Sequence, residues 1–317
     1  MLDHFLYSLN ATLPVFALMV LGWVLKRARF LNDEFIRVAN RLVFNVALPC
    51  MLFLDIAGMD PSQLLDGRFV AYGFVVTLLS ILGIWALTRL FLKDRTQVGA
   101  FVQGAYRSSA AILGAALITN IYGDAGYAPL MILASVPLYN VFAVLILVLE
   151  AGGGGKLDGA RVKRAALNVC KNPIILGILA GMPFALLGIP IPAMASKCAS
   201  MLGSLATPLA LLAIGAGFEG RKALAKLKPT IAASLIKLVA QPLVFIPLAV
   251  ALGFTGEKLI GILVMLAAPA TPSCYIMAKN MKNDGVLTAS IVVTTTLLAA
   301  FTLTGWIFVL KCLQLIG

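Results

Sequence analysis

Five short stretches put polar or helix-breaking residues inside long apolar runs: Asn45-Val-Ala-Leu-Pro49, Arg107-Ser108-Ser109, Asn140, Lys237 with Gln241 and Pro242, and Pro269-Ala-Thr271-Pro272-Ser273. Polar groups are costly in apolar surroundings and mark function there. Pro269 and Pro272 lack an N–H and clash with the preceding turn, so this run predicts a broken helix. A break at membrane depth frees N–H groups that can bind an anion and C=O groups that can bind a cation. Thr271 and Ser273 add hydroxyls. The earlier run has no proline; a break there rests on Ser108, Ser109 and Gly114.

The remaining polar positions leave alternatives open. Asn45 either bonds a substrate or caps backbone freed by Pro49. Asn140 either faces a substrate or joins helices. Lys237 either turns inward, to neutralise an anion or the carbonyl end of a broken helix, or snorkels to the surface; the inward reading is favoured. For Arg107 snorkelling is favoured, and Asp55 reads as interfacial. No HExxH, GxSxG or P-loop occurs, the single histidine is His4, and the five cysteines have no metal-ligand spacing. No catalytic residue, metal or cofactor is expected.

The elements that must position these residues are membrane spans. The chain is 61% apolar and 12% charged with a mean hydropathy of +0.99, whereas soluble domains are about 25% charged. Candidate spans of about 20 residues cover 6–25, 38–57, 69–91, 99–120, 127–149, 170–188, 198–218, 230–253, 258–279 and 286–310. Asp3 and His4 precede the first with no cleavage site, so it is not read as a signal peptide. The odd loops hold 19 Lys and Arg against four on the opposite side. That bias predicts cytoplasmic odd loops and both termini outside, and it assigns the +12 net charge to topology rather than to nucleic acid. The Gly-rich stretch 151–166 reads as a cytoplasmic linker between five-span halves, 1–150 and 167–317. An odd number of spans per half makes the halves an inverted repeat. A shift of 160 residues lays Asn120 on Asn280, Asp124 on Asp284, and Ser109–Ile112 on Pro269–Pro272.

Along its length the chain resembles the auxin efflux carrier family, bacterial relatives of the plant PIN-FORMED auxin exporters that include provisionally named malonate permeases. The likeness rests on Leu13-Pro14 to Gly22, Asn40-Arg-Leu-Val-Phe-Asn45 to Pro49, Asn172-Pro173-Ile-Ile175, Pro208-Leu-Ala to Gly215, Lys237 to Pro242 and Ala267-Ala-Pro269 to Ala278. The family's fourth helix commonly reads Gly-Asn-x-x-Phe-x-Gly-x-Pro; here Ser109 replaces the Asn and Ala116 the Pro. The resemblance implies a sodium/bile-acid-symporter-like all-α fold: ten helices, with helices 4 and 9 broken where they cross. It also implies elevator movement of spans three to five and eight to ten against spans one, two, six and seven.

The expected function is secondary transport of a small organic anion, a carboxylate, across the cytoplasmic (inner) membrane. Asn45, Pro49, Ser108, Ser109, Asn140, Thr271 and Ser273 would form the binding site. Gly114, Pro269 and Pro272 would shape the crossover, and Lys237 would stabilise it. The partners expected are the anion and the bilayer, with H+ or Na+ as a coupling ion, and a homodimer would suit an elevator. The alternatives are a cation-coupled antiporter or symporter on the same scaffold, and a metabolite-sensing membrane protein that transports nothing.

Overall fold

Inside a bilayer an apolar chain can satisfy its backbone only by closing hydrogen bonds on itself, and this chain does so with helices. A computed structural model describes residues 2–59, 66–110, 115–122, 126–152 and 167–316, all helix and short connections, with no strand among them. Gly114, Asp124 and most of the linker, 153–166, lie outside the described residues. In chain order the main helices are α1 (Leu2–Arg27), α2 (Asp33–Ala57), α3 (Gly67–Phe91), α4 (Val98–Tyr106), α5 (Ala115–Tyr122), α6 (Ala128–Glu150), α7 (Pro173–Leu187), α8 (Ala193–Ala216), α9 (Leu227–Ala251), α10 (Gly256–Ala267), α11 (Ser273–Asn280) and α12 (Gly285–Cys312). A short helix, Gly220–Ala225, precedes α9. Among the described residues six of these, α2, α3, α6, α8, α9 and α12, are long and apolar enough to cross a membrane.

Two of the long helices widen. Turns of π-helix span Val43–Ala47 in α2 and Ile236–Ala240 in α9. Each lies just ahead of a proline, Pro49 and Pro242, whose ring would clash with the carbonyl four residues back. The carbonyl so freed in α9, that of Leu238, accepts from the Trp306 indole N–H at 3.0 Å.

In lipid, helices associate by packing and by close backbone approach rather than by the hydrophobic effect. α1 packs along α8, and α2 along α7. In the second pair Gly177 and Gly181 let the helices touch: a Cβ there would stand 2.6 Å from the Pro49 carbonyl and 2.7 Å from that of Phe53. The remaining helices form a second set of contacts, α3 with α4 and α6, α4 with α9 and α12, and α9 with α10.

The connections sort onto two ends. At one, Lys226 before α9 pairs with Asp284 before α12 at 3.0 Å and with Asp94 after α3 at 3.8 Å. At the other, Lys258 pairs with Asp66 at 2.6 Å, the Tyr127 N–H donates to Glu257 at 2.6 Å, and the Gly256 N–H donates to the Leu315 carbonyl at 2.8 Å. The third, seventh and ninth connections of the sequence reading thus meet at one end. The second, fourth and eighth meet at the other, together with the C-terminal residues.

Candidate functional site

Two helices stop in the interior. α4 ends at Tyr106, and Arg107 turns extended at φ −72°, ψ 127°. α10 ends at Ala267, and Ala268 turns extended at φ −65°, ψ 149°, as expected of a residue that precedes a proline. The interrupted segments cross there. The Ser109 N–H donates to the Pro269 carbonyl at 2.9 Å, and the Ser108 hydroxyl reaches the carbonyls of Val264 and Ala268, both at 3.3 Å. The Ala270 N–H donates to the Thr295 hydroxyl of α12 at 3.1 Å. The Thr271 hydroxyl lies 2.5 Å from that of Ser273 and accepts from the Ser273 N–H at 3.1 Å, at the start of α11.

Lys237 is fully buried in the widened turn of α9. Its Nζ donates to the Leu266 carbonyl at 2.6 Å and the Tyr106 carbonyl at 3.2 Å, in the last turns of α10 and α4. Gln241, one turn on, donates to the Ala105 carbonyl at 2.7 Å. A helix C-terminus carries roughly half a negative charge, so two of them match one ammonium. The partners share one numerical offset: 106 and 266, 108 and 268, and 109 and 269 each differ by 160.

Beside the crossing lies a cavity of about 200 Å³. Ser108, Ser109, Thr271 and Ser273 line it from the two breaks, Asn140 and Tyr139 from α6, and Met51, Leu52 and Asp55 from α2. Arg107 lines it too. The sequence favours snorkelling for Arg107, but the residue is only 4% exposed, and its guanidinium donates to Asn140 Oδ1 at 2.6 Å and Met277 Sδ at 2.9 Å. Simple arithmetic points the same way: nine residues of α4 carry Arg107 about 13 Å inward, near the middle of a core about 30 Å thick. Asn140 in turn donates to the Val136 carbonyl at 2.9 Å, which fixes its oxygen toward Arg107. The Tyr139 hydroxyl donates to the Met265 carbonyl at 3.0 Å.

Five residues expected to bind substrate therefore meet at one cavity: Ser108, Ser109, Asn140, Thr271 and Ser273. Asn45 and Pro49 stand apart from it; Asn45 is exposed, and its amide donates to the Arg41 carbonyl at 2.8 Å within the widened turn. A larger groove, about 670 Å³, lies between α3 and α9. Its walls are side chains such as Leu79, Leu87, Phe91 and Val244, a surface suited to lipid tails rather than to a polar solute. Among the described residues no three His, Cys, Asp or Glu side chains gather where a metal could bind. What the crossing cavity offers instead is a guanidinium, hydroxyls and a carboxyl in a low-dielectric setting, groups chemically able to bind and neutralise a small charged solute.

The family described as membrane transport protein matches residues 7–158 and 160–307. An uncharacterized transporter of Methanothermobacter thermautotrophicus is 26% identical over 309 residues, 96% of this chain and 99% of its own. The uncharacterized transporter YfdV of Escherichia coli is 26% identical over 280 residues, 86% and 88%. A Rhizobium meliloti protein provisionally named a malonate transporter is 26% identical over 307 residues, 94% of each chain.

Proposed function

The chain belongs to the membrane transport protein family, that of the auxin efflux carriers, and on that premise we propose that it is a secondary transporter of a small organic anion, a carboxylate, through the helix crossing. The observation that carries this reading is the convergence of the Arg107 guanidinium and the hydroxyls of Ser108, Ser109, Thr271 and Ser273 on one cavity at the two helix breaks. Arg107 receives the carboxylate, since a planar guanidinium matches it bidentately. The hydroxyls complete its hydrogen bonds. Lys237 cancels the charge of the carbonyl ends and so lets two broken helices remain buried.

In this reading α4–α5 and α10–α11 each count as one interrupted crossing, giving ten crossings in two inverted halves, 1–150 and 167–317. The offset of 160 supports the inversion, because residues beside a pseudo-two-fold axis touch their own equivalents. The sorting of connections onto two ends supports the alternation of spans. The packing of α1 on α8 and α2 on α7 supports a four-helix scaffold against which the rest moves. The cavity lies between α2 of that scaffold and the crossing, where an elevator carries its load. The malonate name of one relative makes malonate a natural member of the test set.

The test is uptake into proteoliposomes over a panel of mono- and dicarboxylates, with and without ion gradients. Saturable flux of at least one carboxylate is expected. No flux of any organic anion under any gradient would sink the reading, and saturable binding without flux would favour a sensor.

A further inference from the structure

Among the described residues Asp55 is the one carboxylate on the wall of the crossing cavity. It lies one turn beyond Met51 on α2, so the two share a face. It looks across at Arg107, Ser108 and Ser109 from one break, Thr271 and Ser273 from the other, and Tyr139 and Asn140 from α6. Among the described residues Asp55 makes no hydrogen bond or ion pair. The Arg107 guanidinium is turned to Asn140 and Met277 instead. Asp55 is half-buried, two residues before the end of α2, and a carboxylate without a partner on the wall of an apolar span is costly to maintain for structure alone.

Charge accounting gives it a use. Lys237 is matched by two helix ends, so the formal charges lining the empty cavity are Arg107 and Asp55, which cancel. An arriving carboxylate would leave one net negative charge in a low-dielectric site, with two carboxylates sharing it, and such pairs do not both stay ionised. A single proton on Asp55 restores neutrality. The neighbouring titratable groups offer no substitute. The Tyr139 hydroxyl is engaged with Met265. α7, packed against α2, carries no titratable side chain, and Lys197 and Cys198 of α8 are exposed. On α2 itself Cys50 does not line the cavity.

Resting on the transporter reading, we infer that the cavity carries a monovalent carboxylate together with one proton, held on the Asp55 carboxyl. The proton binds an Asp55 Oδ from water on the loading side and leaves to water on the releasing side once the anion departs. The cavity is neutral both loaded and empty, so the cycle moves no net charge.

The experiment is uptake of radiolabelled pyruvate, an anion that stays ionised throughout the working pH range, into proteoliposomes that hold a pH dye. The wild-type protein is expected to accumulate pyruvate about tenfold per unit of pH difference, acid outside, since a tenfold ratio is one unit of proton gradient. One proton should enter per anion, and a clamped membrane potential should change nothing. Asp55→Asn, which mimics the protonated group, is expected to lose the acid stimulation and the proton flux and to become sensitive to potential. Asp55→Glu should restore both. Equal proton flux per pyruvate in wild type and Asp55→Asn would overturn the assignment, as would accumulation driven by sodium instead of protons. Flux of malonate without flux of pyruvate would overturn the monovalent substrate class. Pyruvate flux without protons contradicts only the role of Asp55, whereas absence of all carboxylate flux contradicts the transporter reading and this inference with it.

Discussion

Lys237→Ala removes the donor from two buried carbonyls, those of Tyr106 and Leu266. A buried polar group left unmet costs about 1–3 kcal/mol, so the variant should melt at lower temperature in detergent and lose most uptake. Wild-type melting and uptake together would contradict the assigned charge balance. Arg107→Gln keeps a donor but loses the charge; hydrogen bonds to a charged group contribute about 1.5–3 kcal/mol, so apparent affinity should fall roughly ten- to hundredfold. Concentration-dependent uptake would read this as a raised KM. The inward Lys237 is legible because a polar residue, Gln241, and a helix-breaking one, Pro242, follow it within about a turn. Arg107 and Asp55 were harder to see. A lone charge near apolar residues is satisfied either by snorkelling or by a partner, and the partners of Arg107, Asn140 and Met277, are 33 and 170 residues away in sequence.

Helices fail here for two different reasons, and substitutions should tell them apart. α10 stops because Pro269 and Pro272 forbid its continuation, a local cause that the sequence displays. Pro269→Ala or Pro272→Ala should alter transport more than folding; loss of folded protein with no selective transport defect would favour an ordinary kink. α4 stops without a proline, and its end is held from outside by the Ser109 bond to Pro269 and by Lys237. Such non-local causes leave little trace in one segment's composition. The π-turns of α2 and α9 were likewise hidden, although Pro49 and Pro242 mark where they fall. At the α2–α7 contact the expectation is reversed: Gly177→Leu would drive a side chain into the Pro49 carbonyl. It should reduce the yield of monodisperse protein in size-exclusion chromatography, whatever its effect on flux.

For the whole molecule, parity was the most legible property. The Lys and Arg bias separated odd from even loops, and the same separation recurs as contacts, Lys226 with Asp94 and Asp284 at one end and Lys258 with Asp66 at the other. The arrangement of the helices around the cavity was not legible, because tertiary packing of near-uniform apolar helices leaves little sequence pattern. If the crossing slides past α2, cysteines introduced at Met51 and Val136, on opposite walls of the cavity, should arrest uptake when bridged by a reducible cross-linker and release it on reduction. Full uptake with the bridge in place would contradict a moving crossing. The most direct measurement of the central claim is carboxylate uptake by wild-type and Arg107→Gln protein reconstituted side by side at equal density. Saturable wild-type flux is expected to fall at least about tenfold in the variant at subsaturating anion, with both proteins equally folded. Equal flux through both, or none through the wild type, would contradict it.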